Sequence, residues 1–527
     1  MRASRPRYDV ERMKQSSEPS VAPARARALA RSAPRRLASA ALLALAAVGA
    51  VSCATPEGLD GVASVRARKA SGLELTPCSV PKSATEAYCG VYHVFEDREA
   101  RTGRTLPLKI VVLPAITDTP APDPIFVLAG GPGQGAASGV TTDIVEYFRP
   151  MRSERDVVFV DQRGTGESNR LGCRLTPPGP AAQSRFTDLL PPDMIRACRA
   201  SLEKIADLRL YTTPIAMDDL DEVRTALGYG AINVYGVSYG SLAAMQYLRQ
   251  HSTSVRSMVL LGVGTPAQKL PLQFAAAAQS SLDRLIADCA ADPACHAAFP
   301  DPKADLETVL GQFDAGPVSF ELPAASGKAS ERVSMSRAVF AERLRLMLYE
   351  LRRARHVPFV LHRAAAGDWV PFARRTSPAL TGNPPSFGIG MYLTVTCSES
   401  VATITEDDIV RESRGSFVGE DRTRIHVRAC QEWPRGSIPA DFYAPVTSRV
   451  PVLMLSGELD AATPAHFGTT VARSLPNSRQ VLIRNVSHDY FNDCLRDLVA
   501  EFIAAGTARG LDIRCVRTLR RPPFATE

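Results

Sequence analysis

The sequence contains no C-x-x-C pair and no H-E-x-x-H, so the usual zinc-binding spacings are missing. Beyond its N-terminal region it has no apolar run long enough to cross a bilayer, and it has no internal repeat. The body also lacks net charge. The whole chain carries +7, but residues 1–52 alone hold ten Lys and Arg against three Asp and Glu, which leaves the remainder formally neutral. A neutral body offers no electrostatic footprint for DNA or RNA, and nucleic acid is excluded as a partner. Nothing in the pattern asks for a cofactor.

What is present is a globular balance: 527 residues, 45% hydrophobic and 22% charged. That length suits several domains, or one large α/β domain with an insertion. The basic leader ends at Arg35-Arg36, and Leu37 to Val51 is free of charge. This reads as the apolar part of an export signal. It stops at Ala50-Val51-Ser52-Cys53, a lipobox-like site at which Cys53 is lipidated, the other reading being ordinary signal-peptidase cleavage nearby. The cysteine count agrees with export. Setting Cys53 aside leaves ten, an even number suited to an oxidising compartment. They fall as near neighbours along the chain, which favours sequential pairs.

Short apolar runs follow one another at Leu106–Leu113, Pro124–Leu128, Asp156–Val160, Ile232–Tyr235, Ser257–Gly262, Val450–Leu455 and Gln480–Ile483. Buried strands separated by helices or long loops predict a mainly parallel sheet with helices on both faces, Leu106–Leu113 being an outer strand. The rhythm breaks between Gly262 and Val450, a gap far longer than one crossover needs. Phe340, Leu344, Met347, Leu348 and Leu351 recur there at helical spacing, which predicts one helix over 336–353. The gap is expected to be a mostly helical cap. The resulting division is a leader at 1–52, core at 53–265, cap at 266–445 and core again at 446–527.

The strongest chemical signal is Gly236-Val-Ser-Tyr-Gly240, placed between a strand and a helix. That context makes a nucleophile elbow, with Ser238 as nucleophile and the Tyr239 N–H directed at the developing oxyanion. In the order this arrangement demands, the acid and the base follow the serine. Asp460 lies just past the Val450–Leu455 strand, and His488 lies beyond the next one. Glu458 is the alternative acid, and His466 stands too close to the acid to serve as base. Gly130-Gly-Pro-Gly133 supplies the second oxyanion donor; Pro132 has no N–H, so Gly131 is the natural choice. Asp161 and Arg163 read as residues that tie their loop together.

Gly130-Gly-Pro-Gly133, Asp161-Gln-Arg-Gly-Thr-Gly-Glu-Ser168, Gly236-Val-Ser-Tyr-Gly-Ser241 and Gly457-Glu-Leu-Asp-Ala-Ala-Thr-Pro464 together resemble the secreted tripeptidyl aminopeptidase and proline iminopeptidase branch of the α/β-hydrolases. The resemblance runs from about Cys78 to Cys515 and implies an α/β-hydrolase fold. It also implies the bridges Cys78–Cys89, Cys173–Cys198, Cys289–Cys295, Cys397–Cys430 and Cys494–Cys515. Relatives of this branch cleave peptides from a free N-terminus, and their caps supply carboxylates for the ammonium. Here Glu399 is the first expectation, followed by Asp368 and Glu350.

The leading expectation is therefore an exported serine exopeptidase working through an acyl-enzyme on a peptide substrate, anchored by lipid at Cys53 or released. A carboxylesterase would use the same three groups under a more apolar cap. A surface lipoprotein that binds peptides without cleaving them would have no reason to keep all three.

Overall fold

The computed structural model describes residues 73–527, apart from 178, 180, 181, 324–329 and 377–385. The leader and Cys53 lie outside the described residues. Nine strands form one sheet. In chain order they are β1 (Thr76–Ser79), β2 (Glu86–Phe95), β3 (Thr105–Leu113), β4 (Ile125–Leu128), β5 (Val157–Val160), β6 (Ile232–Val237) and β7 (Val255–Leu261), with two more from the C-terminal region, Val452–Gly457 and Ser478–Ile483. A hairpin, β8 (Val318–Pro323) with β9 (Ser330–Met335), stands apart from them. The two C-terminal strands are therefore β10 and β11. The sheet order is β1-β2-β3-β5-β4-β6-β7-β10-β11. The first three pairings are antiparallel and all the others parallel. This is the α/β-hydrolase fold.

The all-apolar runs become the middle of the sheet because both their faces are covered. Ile125–Leu128 and Val157–Val160 are buried at every position. Alternate residues serve opposite layers: Phe126, Leu128, Val158 and Val160 join one core cluster, and Ile125, Val127, Val157 and Phe159 the other. Helices Thr213–Ala226 and Tyr239–Gln250 close the first layer through Leu220 and Met245. Helix Asp493–Ala505 closes the second through Leu498 and Phe502.

Two expectations need correction. Leu106–Leu113 is not an outer strand: β3 lies third in the sheet, inside β1 and β2, because the segment stapled by Cys78–Cys89 forms two further strands. The helix expected over 336–353 is broken. It runs Arg337–Met347, stops, and resumes at Leu351–Ala354, with Glu350 extended at φ −125° and ψ 125°. The side chain of Ser487 takes up the Leu348 carbonyl left over at the break.

Between β7 and β10 the chain is mostly helical, with the β8–β9 hairpin added, and it gathers around a third cluster that includes Leu282, Phe340, Leu344, Trp369 and Phe372. Five disulfides, Cys78–Cys89, Cys173–Cys198, Cys289–Cys295, Cys397–Cys430 and Cys494–Cys515, fasten the described residues. Among those residues no helix is long and apolar enough to cross a membrane.

Candidate active site

Ser238 sits where β6 turns into helix Tyr239–Gln250, with φ 57° and ψ −123°. A non-glycine residue held there costs roughly 1–3 kcal/mol, and the surroundings must hold it. The flanking glycines are what allow the crossing. A Cβ on Gly236 would lie 2.3 Å from the Gly240 carbonyl oxygen, and one on Gly240 would lie 2.2 Å from the Leu128 oxygen. The Ser238 N–H donates to the Leu261 carbonyl at 2.8 Å, tying the elbow to the end of β7. The residue after that carbonyl is Gly262, where a Cβ would come within 3.0 Å of His488 Cε1. The histidine ring thus packs against the turn to which Ser238 is tied.

Asp460 and His488 arrive on the loops after β10 and β11. His488 Nδ1 lies 2.8 Å from Asp460 Oδ2. Asp460 is buried and fully occupied: Oδ1 accepts the N–H groups of Ala462 and Thr463, each at 2.8 Å, and Oδ2 accepts the hydroxyls of Thr463 at 2.8 Å and Tyr490 at 2.7 Å. Burial opposes its charge, but His488 and these donors outweigh burial and hold the carboxyl below its ordinary value. Thr463 Oγ1 is also 3.3 Å from His488 Nδ1. The arrangement can fix an imidazole with Nδ1 protonated and leave the other nitrogen free to act as a base.

One cavity is lined by Gly131, Ser238, Tyr239 and Thr463 together with Leu270, Phe274 and Tyr349. Tyr239 is the first residue of its helix, where backbone N–H groups lack intrahelical partners. Gly131, at φ 115°, belongs to the loop that follows β4. Its neighbour Gly130 packs so closely on the elbow that a Cβ there would lie 3.3 Å from Ser238 Cβ. Tyr349 reaches the cavity because of the break after Met347. Its ring centroid is 5.0 Å from that of His488, and its hydroxyl receives Arg345 NH1 at 2.6 Å.

The three carboxylates expected to meet an ammonium are placed very differently. Glu399 is corrected. It is 3% exposed, and its oxygens accept the Thr213 N–H at 2.5 Å and the Thr213 hydroxyl at 2.7 Å, so no oxygen is presented to the cavity. Burial pushes this carboxyl up to about 7, with the Thr213 bonds pulling the other way. Asp368 lies in a surface turn before Trp369, where it caps the Val370 N–H and pairs with Arg363 at 3.0 Å. Neither Asp368 nor Glu399 lines the Ser238 cavity. Glu350, half exposed and 3.0 Å from Arg353, directly follows Tyr349 and is nearest to the cavity along the chain.

Other residues weighed in the sequence are accounted for structurally. Asp161 accepts from the Ser138 N–H and the Glu167 N–H, each at 2.9 Å. Arg163 grips Asp219 through two nitrogens, at 2.6 and 2.9 Å. Glu458 faces Arg284 and Arg484, and His466, itself exposed, begins the short helix His466–Ala472. Sequence reasoning missed Thr463, Tyr490 and Tyr349. Thr463 stands within a quoted motif, but only the fold of the 460–463 turn shows its hydroxyl returning to Asp460. Among the described residues no cluster of three or more His, Cys, Asp or Glu side chains could hold a metal.

Comparison with known proteins agrees with this topology. Residues 123–320 match the family model described as the alpha/beta hydrolase fold, and residues 415–515 match that of TAP-like proteins. A tripeptidyl aminopeptidase of Streptomyces lividans is 24% identical over 430 residues, covering 73% of this chain and 75% of the relative. The serine protease Hip1 of Mycobacterium tuberculosis is 23% identical over 486 residues, covering 84% and 91%. A probable proline iminopeptidase of Streptomyces coelicolor is 33% identical over 142 residues, which is 27% of this chain and 33% of that protein.

Proposed function

We propose that this chain, an α/β-hydrolase with a TAP-like C-terminal segment, is an exported serine exopeptidase that cleaves peptides from a free N-terminus. The observation that carries the reading is the Asp460–His488 hydrogen bond beside a serine held at a strained elbow. His488 takes the Ser238 proton as the hydroxyl attacks the scissile carbonyl. Asp460 keeps the imidazole oriented and stabilises its charge. The oxyanion that forms is received by the N–H groups of Gly131 and Tyr239. His488 then protonates the departing amine, leaving an acyl-Ser238, and water completes the cycle by the same base.

The exopeptidase reading is supported by the lining of the cavity. Leu270, Phe274 and Tyr349, all within the proposed cap at 266–445, line the same cavity as Ser238. A cap set against the nucleophile in this way would admit chain ends more readily than folded protein. Glu350 is the carboxylate proposed for the substrate ammonium, since an unpaired charge entering a partly desolvated site is costly. The 1–52 leader supports export and Cys53 supports a lipid anchor; mass spectrometry of the mature N-terminus reads both.

Leu242, Leu270 and Phe274 give the cavity apolar walls, and this favours a carboxylesterase as the second reading. One peptide compared with and without N-acetylation decides between them. A free-N-terminus exopeptidase cleaves only the unblocked form, and equal cleavage of both promotes the esterase.

A further inference from the structure

Residues 515–527 bridge the core and the proposed cap. The first part of the segment is fixed to the core: Cys515 is bridged to Cys494, Val516 is buried in the second core cluster, and the Leu519 carbonyl accepts from Asn485 Nδ2 at 3.3 Å. Phe524, five residues beyond Leu519, is buried in the third cluster with Trp369 and Phe372 of the proposed cap. Ala525 is buried as well, and its N–H donates to the Arg355 carbonyl at 3.1 Å. Pro522 and Pro523 fill the step between, so the connection has little slack.

Its attachments lie on elements that also reach the Ser238 cavity. Helix Phe274–Ala291 begins with Phe274 in that cavity. About 21 Å further along the axis, Asp288 accepts Arg521 NH2 through Oδ2 at 2.5 Å and Arg284 Nε through Oδ1 at 3.2 Å. Between them Ser281 donates to the Leu459 carbonyl at 2.8 Å, and Arg284 lies 3.7 Å from Glu458. One face of this helix thus runs along the loop that carries Asp460. The Arg521–Asp288 pair is only 15% and 27% exposed, so solvent screens it less than a surface pair. The same guanidinium lies 4.8 Å over the Phe524 ring. Arg355, the other attachment, stands six residues after Tyr349, which also lines the cavity.

A segment pinned to the core at 515–519 and seated in the cap at 524–525 resists movement of those elements away from the elbow. We propose that residues 520–527 form a strap that holds the cap against Ser238 and so limits the size of substrate admitted there. None of its residues lines the Ser238 cavity. Arg521 and Phe524 are positioning residues that act through Phe274 and Tyr349. The size limit rests on the proposed role of Ser238, and the tether itself does not.

The test compares the full chain with Phe524→Ala, which empties the seat in the cap, and with Arg521→Gln, which removes the ion pair. In Phe524→Ala, hydrogen exchange read by mass spectrometry should rise at least about threefold in 274–291 and 351–375, with helix Asp493–Ala505 unchanged. Arg521→Gln should move the same segments in the same direction, and it carries the test if Phe524→Ala does not fold. The rate of Ser238 labelling by a bulky aryl fluorophosphonate, divided by that for diisopropyl fluorophosphate, should rise at least about threefold in Phe524→Ala and in the same sense in Arg521→Gln. The proposal is overturned if the folded variants exchange like the parent in both segments, if exchange rises equally in Asp493–Ala505, or if the labelling ratio does not move. A parent that takes up neither probe would sink the serine reading alone, and the exchange result would still decide the strap.

Discussion

The Tyr349 ring lies 5.0 Å from that of His488, tilted 54° to it, while its hydroxyl accepts from Arg345. A residue of the proposed cap thus touches the proposed base, and the helix break after Met347 exists in a form that permits it. Tyr349→Ala should lower kcat/KM by about ten- to a hundredfold, because the imidazole loses a packed wall and the cavity opens to water. Tyr349→Phe keeps the ring and should cost far less. Steady-state kinetics on both variants provide the comparison; equal losses would assign the effect to the hydroxyl and not to the ring.

Ser238→Ala should remove acylation altogether. The expected fall in kcat is about four to six orders of magnitude, with peptide affinity retained. Intact-mass measurement after fluorophosphonate treatment should show one adduct on the parent and none on the variant.

Tyr490 is buried and shares its hydroxyl between Asp460, to which it donates at 2.7 Å, and the Gly457 N–H, from which it accepts at 3.0 Å. Tyr490→Phe strips one donor from a buried carboxylate and one acceptor from a backbone amide. The variant should lose about 1–3 kcal/mol of stability. It should also lose kcat while KM stays near the parent value, since Asp460 orients His488 and does not meet the substrate. Denaturant unfolding and kinetics on the same preparation measure both effects. A KM change alone would contradict the role.

Glu399 gives a pH dependence with a definite sign. Its carboxyl is raised from 4.5 to about 7 by burial. Between these values the folded state keeps a proton that the unfolded chain releases. The stabilisation is therefore complete below about pH 4.5 and is lost as pH rises through 7. Its full size is on the order of 3 kcal/mol. Glu399→Gln, permanently neutral, should flatten that part of the stability curve and be more stable than the parent at pH 8. A parent-minus-variant difference that does not change between pH 5 and 8 would reject this account. The Thr213 hydroxyl bonds both Glu399 and the Tyr239 hydroxyl, each at 2.7 Å, so one side chain links the titrating carboxyl to Tyr239.

The elbow was legible because its glycines leave a local imprint: Gly236 and Gly240 are demanded by backbone contacts only a few residues away or by one adjacent strand. The buried parallel strands were legible for a similar reason, since a strand covered on both faces must be apolar at every position. Glu399 was misread because adjacency to Cys397 says nothing about which way a carboxylate points, and its partner Thr213 is 186 residues distant. The break at Leu348–Glu350 was invisible too. Apolar spacing continues through it, and only tertiary bonds such as Ser487 to Leu348 reveal it.

The five disulfides never interleave along the chain: they span 11, 25, 6, 33 and 21 residues, and each closes before the next begins. A polypeptide emerging N-terminus first into an oxidising space would present every cysteine with its own partner before any competitor from a later pair appeared. Correct pairing then follows from the order of arrival, with little need for reshuffling. A denatured, fully reduced chain has no such ordering and must choose among about 945 pairings at once.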